Sequence, residues 1–378
     1  MMKGKIKRLK LYEKEIGACS IFGAMNRDGK SFAGDGVIKA IANMHARGNG
    51  LGGGFAIYGL YPKYERYYAL HIMIERDEAK KDVDRFLEKN FDIVFDEVIP
   101  TNDEIEFANP PVIWRYFVLP KNTGRLSDND YVVQKIMHIN TKISDAYVFS
   151  SGKNMGVFKG VGYPEEIAKY FMLENYKGYI WTAHGRFPTN TQGWWGGAHP
   201  FSILDWTVTH NGEISSYGTN RRYLEMYGYH CTLHTDTEVM AYAVDLLMRK
   251  QNLPVDIVAK IFAPPVWETI EHEEEKNKKL LTVLRRTYSS LLMNGPFAVI
   301  IAHHGEMIGL TDRIRLRPLT VGVRGEMTYL SSEEAAIRLV SERLDKVWTP
   351  DGGEPVVTML NNIKARGGKE NYEIISSA

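Results

Sequence analysis

The sequence predicts an α+β protein built as a layered sandwich, and three observations carry that expectation. Short apolar runs at 18–25, 55–60, 179–186 and 206–210 read as strands, in two separate blocks of the chain. Apolar residues recur at helical spacing at 35–46 and 235–250, between and outside those blocks. A third stretch, 63–149, breaks the pattern and reads as an insertion. Two sheets with helices covering their outer faces satisfy all three.

The elements follow in order. Residues 18–25, which contain Cys19-Ser-Ile-Phe-Gly-Ala-Met25, alternate toward a strand, and Val37, Ile38, Ile41, Ala42 and Met44 mark a helix over 35–46. Arg47-Gly-Asn-Gly-Leu-Gly-Gly-Gly54 is then a glycine-rich loop, able to take positive φ and to approach a ligand closely. It lacks the Lys-Ser/Thr of a phosphate loop and leads into a strand, which argues against a nucleotide site. Within the insertion, 67–74 is extended, 77–90 is an amphipathic helix and 112–119 is extended again, a strand-helix-strand unit with a packing or docking role. A helix over 163–175 opens with Pro164, where a missing N–H does no harm. Thr235 or Asp236 caps the helix over 235–250, and the charged run 268–279 reads as a solvated helix face.

Composition excludes several functions. The chain has 378 residues, room for two ordinary domains or one large domain with insertions. Its 47 basic and 46 acidic residues give no bias toward nucleic acid or an anionic membrane surface. The two cysteines, Cys19 and Cys231, are too few for a disulfide framework or a four-thiolate iron-sulfur cluster. No stretch approaches the roughly 20 apolar residues of a membrane span, and the basic first residues are not followed by a secretory apolar region. A cytoplasmic location is the default expectation.

Four segments carry chemistry. Cys19 opens a strand-like run and is a candidate nucleophile, since a thiolate attacks readily. In Thr209-His-Asn-Gly-Glu-Ile214, the Asn211-Gly212 pair offers donors for an oxyanion, or else a hairpin turn. Arg186, in His184-Gly-Arg-Phe-Pro-Thr-Asn-Thr191, has the fork that grips a carboxylate, or forms a structural salt bridge. Asp236, in Thr235-Asp-Thr-Glu238, suits an ammonium group, or simply caps its helix. An amino acid carries both complementary charges. His184, His199, His210 and His234 lack the spacing of a metal site, so no metal is expected, and Cys231 reads as a small buried hydrophobe.

In this order and spacing the segments resemble the class II, N-terminal-nucleophile glutamine amidotransferases, nearest to the amidotransferase domain of glutamate synthase. Gly295-Pro-Phe-Ala-Val-Ile300, Thr311-Asp-Arg-Ile-Arg-Leu-Arg-Pro-Leu319 and Tyr329-Leu-Ser-Ser-Glu-Glu334 extend the likeness to about Val340. The resemblance implies a four-layer αββα sandwich over 19–345, a leader over 1–18 that is removed, and a C-terminal extension over 346–378. It implies that Cys19 attacks the side-chain amide of L-glutamine, its own freed α-amine acting as base. Asn211 and Gly212 would form the oxyanion hole; Arg186, Thr189, Asn190, Asp236 and Arg47 would surround the substrate. Arg315 or Arg317 would stand near an ammonia path or form a sheet-edge salt bridge. Ser20 departs from the family's usual glycine. Few residues follow Val340, so a glutamate synthase partner acting on 2-oxoglutarate, with its flavin and iron-sulfur groups, is expected on a separate chain. The alternatives are the amidotransferase subunit of another pathway, of the phosphoribosylpyrophosphate type, or a noncatalytic scaffold of the same fold.

Overall fold

The computed structural model describes residues 17–188 and 193–362, and the backbone of a strand at Glu373–Ile375. A seven-stranded antiparallel sheet runs in the order Lys346–Trp348, Thr320–Arg324, Met327–Ser331, Ser20–Asn26, Ile180–Gly185, Gly53–Tyr58, Met155–Gly160. The strand Ser20–Asn26 lies mid-sheet, which is why its sequence is apolar on both faces. A six-stranded sheet faces it, in the order Phe201–Ile203, Trp206–Gly212, Phe297–His303, Glu306–Thr311, Val356–Met359, Glu373–Ile375.

The side-chain alternation of Phe297–His303 divides the core. Ala298, Ile300 and Ala302 pack between the sheets, and Phe297, Val299 and Ile301 pack outward. A Cβ on Gly23 would stand 2.9 Å from Met307 Sδ and 3.2 Å from Ile300 Cδ1, so that glycine sets how closely the two sheets approach. Helices Asp35–Asn43, Pro164–Tyr170 and Glu334–Val340 cover the first sheet, and Asp236–Val244 covers the second, with Val255–Phe262 packed against the helical turns that follow it. This is the four-layer αββα sandwich of the N-terminal-nucleophile hydrolase type.

Several boundaries differ from expectation. The helix expected over 163–175 stops at Tyr170 and resumes as a 3₁₀ turn, Leu173–Asn175, because Met172 adopts a left-handed conformation between them. Helix Asp236–Val244 continues into π-helical turns over Asp245–Lys250. The charged run splits into Trp267–Glu271 and Glu275–Thr287; the second buries only Leu281 and Leu284 and leaves most of its other side chains exposed. The segment expected to extend beyond the domain supplies Lys346–Trp348 to one sheet and Val356–Met359 to the other. Of the expected leader, only Gly17 and Ala18 are among the described residues.

The insertion is larger than a strand-helix-strand unit. Strands Tyr68–Ile74, Phe91–Val98, Val112–Pro120 and Ala146–Ser150, with helices Asp77–Asn90 and Asp128–Lys142, run β-α-β-β-α-β. Their sheet order, second-third-first-fourth, is that of a ferredoxin-like unit. Two strands were missed, Ala146–Ser150 and the edge strand Phe91–Val98; in the second, Val94, Phe95 and Val98 are exposed beside Asp92 and Asp96, and a register shift between Ile93 and Phe95 breaks the alternation.

Candidate active site

The pocket forms where three strands end together. Ser20 pairs with Gly185, placing Cys19 at the start of one strand beside Arg186 at the end of its neighbour. The strand Trp206–Gly212 ends opposite them on the facing sheet, whose strand packs on both. Cys19, Arg186, Phe187, His210, Gly212 and Asp236 all line one cavity of about 370 Å³. A larger cavity, about 450 Å³, lies between Val255–Phe262, Glu275–Thr287 and the 312–316 turn, but its lining holds neither a cysteine nor a histidine.

Cys19 is half-buried and held mainly through backbone. The Ala18 N–H donates to Arg47 O at 2.9 Å, and Arg47 Nε donates to Cys19 O at 3.2 Å. The Phe187 N–H donates to Cys19 Sγ at 3.4 Å. Burial pushes the thiol pKa up; the Phe187 amide and the Arg186 and Arg317 guanidinium groups oppose that, while Asp236 reinforces it. The resting sulfur is therefore a thiol that needs a base. In the uncut chain the Cys19 nitrogen is an amide and is no base.

Arg186 is only 4% exposed. Gly52, at φ +152°, clears its stem: a Cβ there would fall 3.0 Å from Arg186 Cδ. The glycine-rich loop thus serves close packing around this guanidinium. Burial lowers the Arg186 pKa, and Cys19 and Asp236 act to raise it. Arg47 is not among the residues that line the cavity; its Nη1 donates to Glu333 Oε1 at 2.8 Å while its Nε holds the Cys19 carbonyl.

Gly212 sits at φ +144°, and a Cβ there would be 1.9 Å from Pro296 O, so no other residue fits. Asn211 is fully buried one residue earlier, and its Nδ2 donates to Ser332 Oγ at 3.3 Å. Ser332 Oγ also accepts from the Ile21 N–H at 3.1 Å, tying Asn211 to the nucleophile's own strand. The Asp236 helix is capped by Thr235, whose side chain accepts from Glu238 N. Asp236 is therefore spared that task, and its Oδ2 accepts from the Ile214 N–H at 2.8 Å. Burial would raise the Asp236 pKa, but His210, the Ile214 amide and the Thr237 hydroxyl hold it below the usual carboxylate range.

Thr189 and Asn190 lie outside the described residues. Arg315 donates to Pro350 O at 3.1 Å and lies 3.9 Å from Asp351, on the surface, whereas Arg317 is close enough to act on the thiol. Among the described residues no group of three or more His, Cys, Asp or Glu side chains is placed to hold a metal ion. Sequence reasoning missed the Phe187 amide, Ser332 and Thr237. Phe187 and Thr237 each follow a singled-out residue, and Ser332 lies in a quoted motif, so adjacency was the available signal.

The sequence profile of the class II glutamine amidotransferases matches residues 23–362. The chain belongs to that family. An uncharacterized protein of Archaeoglobus fulgidus is 62% identical over 99% of this chain and 100% of its own length. A putative glutamine amidotransferase of Methanothermobacter thermautotrophicus is 27% identical over 86% of this chain and 94% of its own. The amidophosphoribosyltransferase of Methanocaldococcus jannaschii is 27% identical over 50% of this chain, which covers 35% of that protein. No described helix of this amidotransferase is long and apolar enough to cross a membrane.

Proposed function

We propose that this chain hydrolyses L-glutamine to glutamate and ammonia through a thioester on Cys19. The observation that carries the reading is that Cys19, Arg186, Gly212 and Asp236, far apart in sequence, line one cavity of about 370 Å³. Arg186 grips the α-carboxylate and Asp236 the α-ammonium, leaving the side-chain amide to reach the sulfur. Once the peptide bond before Cys19 is cut, its free α-amine, with a pKa near neutrality, takes the thiol proton.

Sulfur then bonds to the amide carbon, and the oxyanion draws on the Gly212 N–H and the Asn211 amide. The proton passes from the amine to the leaving nitrogen, the C–N bond breaks and ammonia departs. Water, deprotonated by the same amine, cleaves the thioester and restores the thiol. The ammonia acceptor proposed is 2-oxoglutarate on a separate glutamate synthase subunit, supported by the motifs that likeness rests on. The partial likeness to an amidophosphoribosyltransferase favours a phosphoribosyl acceptor as the second reading. Ammonia release from glutamine tests the hydrolysis, and Cys19→Ala is expected to abolish it. Copurification from the native source tests the acceptor: a flavin-containing partner supports the first reading.

A further inference from the structure

Asp236 is held by side chains that the proposed reaction does not use, Thr237 outside the cavity lining and His199 and His210 within it. Thr237 Oγ1 lies 3.3 Å from Asp236 Oδ1, 2.7 Å from His199 Nε2 and 3.1 Å from His210 Nδ1. A hydroxyl has one proton to donate, and an ionised carboxylate can only accept. The Thr237 proton therefore goes to Asp236, and both imidazoles must donate to the hydroxyl oxygen. That places a proton on His199 Nε2 and on His210 Nδ1. Burial keeps His199 neutral, its pKa well below the usual value, so its Nδ1 is bare; that buried atom has no hydrogen-bond partner among the described residues. His184 stacks on the His199 ring at 3.9 Å between centroids, and its Nε2 donates to His210 O at 3.0 Å. His199, His210 and Thr237 are all at least 95% buried.

We propose that Thr237, backed by His199 and His210, is the positioning residue that fixes the Asp236 carboxylate for the substrate's α-ammonium and so sets selectivity for amino-acid amides. The inference rests on the glutamine reading above, and it adds a chain of three donors that decides which substrates are held. Without the hydroxyl proton, Asp236 Oδ1 loses its nearest side-chain donor, and the carboxylate keeps the Ile214 N–H on Oδ2 with His210 Nδ1 3.7 Å from Oδ1, a looser hold on the oxygen that Thr237 fixes. Selectivity then falls on the ammonium alone, because Arg186 and the nucleophile are untouched.

The test compares L-glutamine with 4-carbamoylbutanoate, which is glutamine without the α-amino group, as substrate or as competitive inhibitor. Thr237→Val is expected to raise KM for glutamine about tenfold with kcat within about twofold, the scale of a hydrogen bond to a charged group. The constant for 4-carbamoylbutanoate should not move, and Thr237→Ser should restore the wild-type KM. His199→Phe, which keeps the ring stack and removes the donor, should shift KM the same way by about threefold. Equal weakening of both ligands, or no change for glutamine, overturns the proposal; if Thr237→Val does not fold, His199→Phe decides by the same criterion. A wild-type protein inert toward glutamine would instead sink the hydrolysis reading. The imidazole ¹⁵N spectrum still reads the arrangement in that case: protons on His199 Nε2 and His210 Nδ1 support it, and a proton on His199 Nδ1 overturns it.

Discussion

The two walls of the pocket are built on different principles. On the thiol wall, position comes from backbone: the strand pairing of Ser20 with Gly185, the Phe187 amide on the sulfur, and Gly212 in a conformation only glycine adopts. On the carboxylate wall, position comes from buried side chains: Asp236 is held by His210, Thr237 and the Ile214 amide. Reaction geometry here is thus a property of the sheets, while substrate selectivity is a property of a replaceable polar network. Changes on the first wall should therefore act on kcat, and changes on the second on KM.

Asn211→Ala offers the largest break short of the nucleophile itself. Loss of one oxyanion donor is expected to lower kcat about 100-fold or more with KM little altered, as steady-state ammonia release would show. A KM effect alone would move Asn211 to the wrong side of the comparison. Asp236→Asn is expected to raise KM for glutamine about 30-fold, since a charged hydrogen bond becomes a neutral one, with kcat far less affected. Ser332→Ala sharpens the contrast, because Ser332 touches Asn211 and not the cavity: kcat should fall about fivefold at unchanged KM, the effect of loosening one neutral hydrogen bond.

The effect that falls on both walls alike concerns stability. Burial pushes His184 down to about 3 and His71, inside the insertion, also to about 3, with Arg115 adding to the effect at His71. Both are neutral in the fold, whereas the unfolded chain takes up protons below about 6.5. Their contribution is thus complete above pH 6.5 and is lost as pH falls toward 3, by up to about 1.4 kcal/mol per pH unit for each ring. Denaturant unfolding between pH 7 and pH 4 should show the midpoint falling, and His71→Gln should flatten that slope. Because one ring lies beside the pocket and the other far from it, the effect should not separate the two walls.

The two walls were also unequally legible in the sequence. Cys19, Arg186 and Gly212 stand at strand ends, where an apolar run meets a polar residue; local pattern singles them out, but only the order of the motifs along the chain favours a site over a structural salt bridge at Arg186 and a hairpin turn at Asn211-Gly212. Thr237 looks like a cap-region threonine, because its partners His210 and His199 lie 27 and 38 residues away. Arg47 was legible as a neighbour of the nucleophile, but its engagement with Glu333 joins positions 286 residues apart. The stacked sheets were legible from their apolar runs; the edge strand Phe91–Val98 was not, since Val94, Phe95 and Val98 share its exposed positions with Asp92 and Asp96 and a register shift at Ile93 to Phe95 breaks the alternation.

The most direct test of the account is ammonia release from L-glutamine by protein whose N-terminus is defined by intact mass. A form that begins at Cys19 is expected to release ammonia, and Cys19→Ala is expected to release none. Turnover by protein that keeps the residues before Cys19, or undiminished turnover by Cys19→Ala, would contradict it.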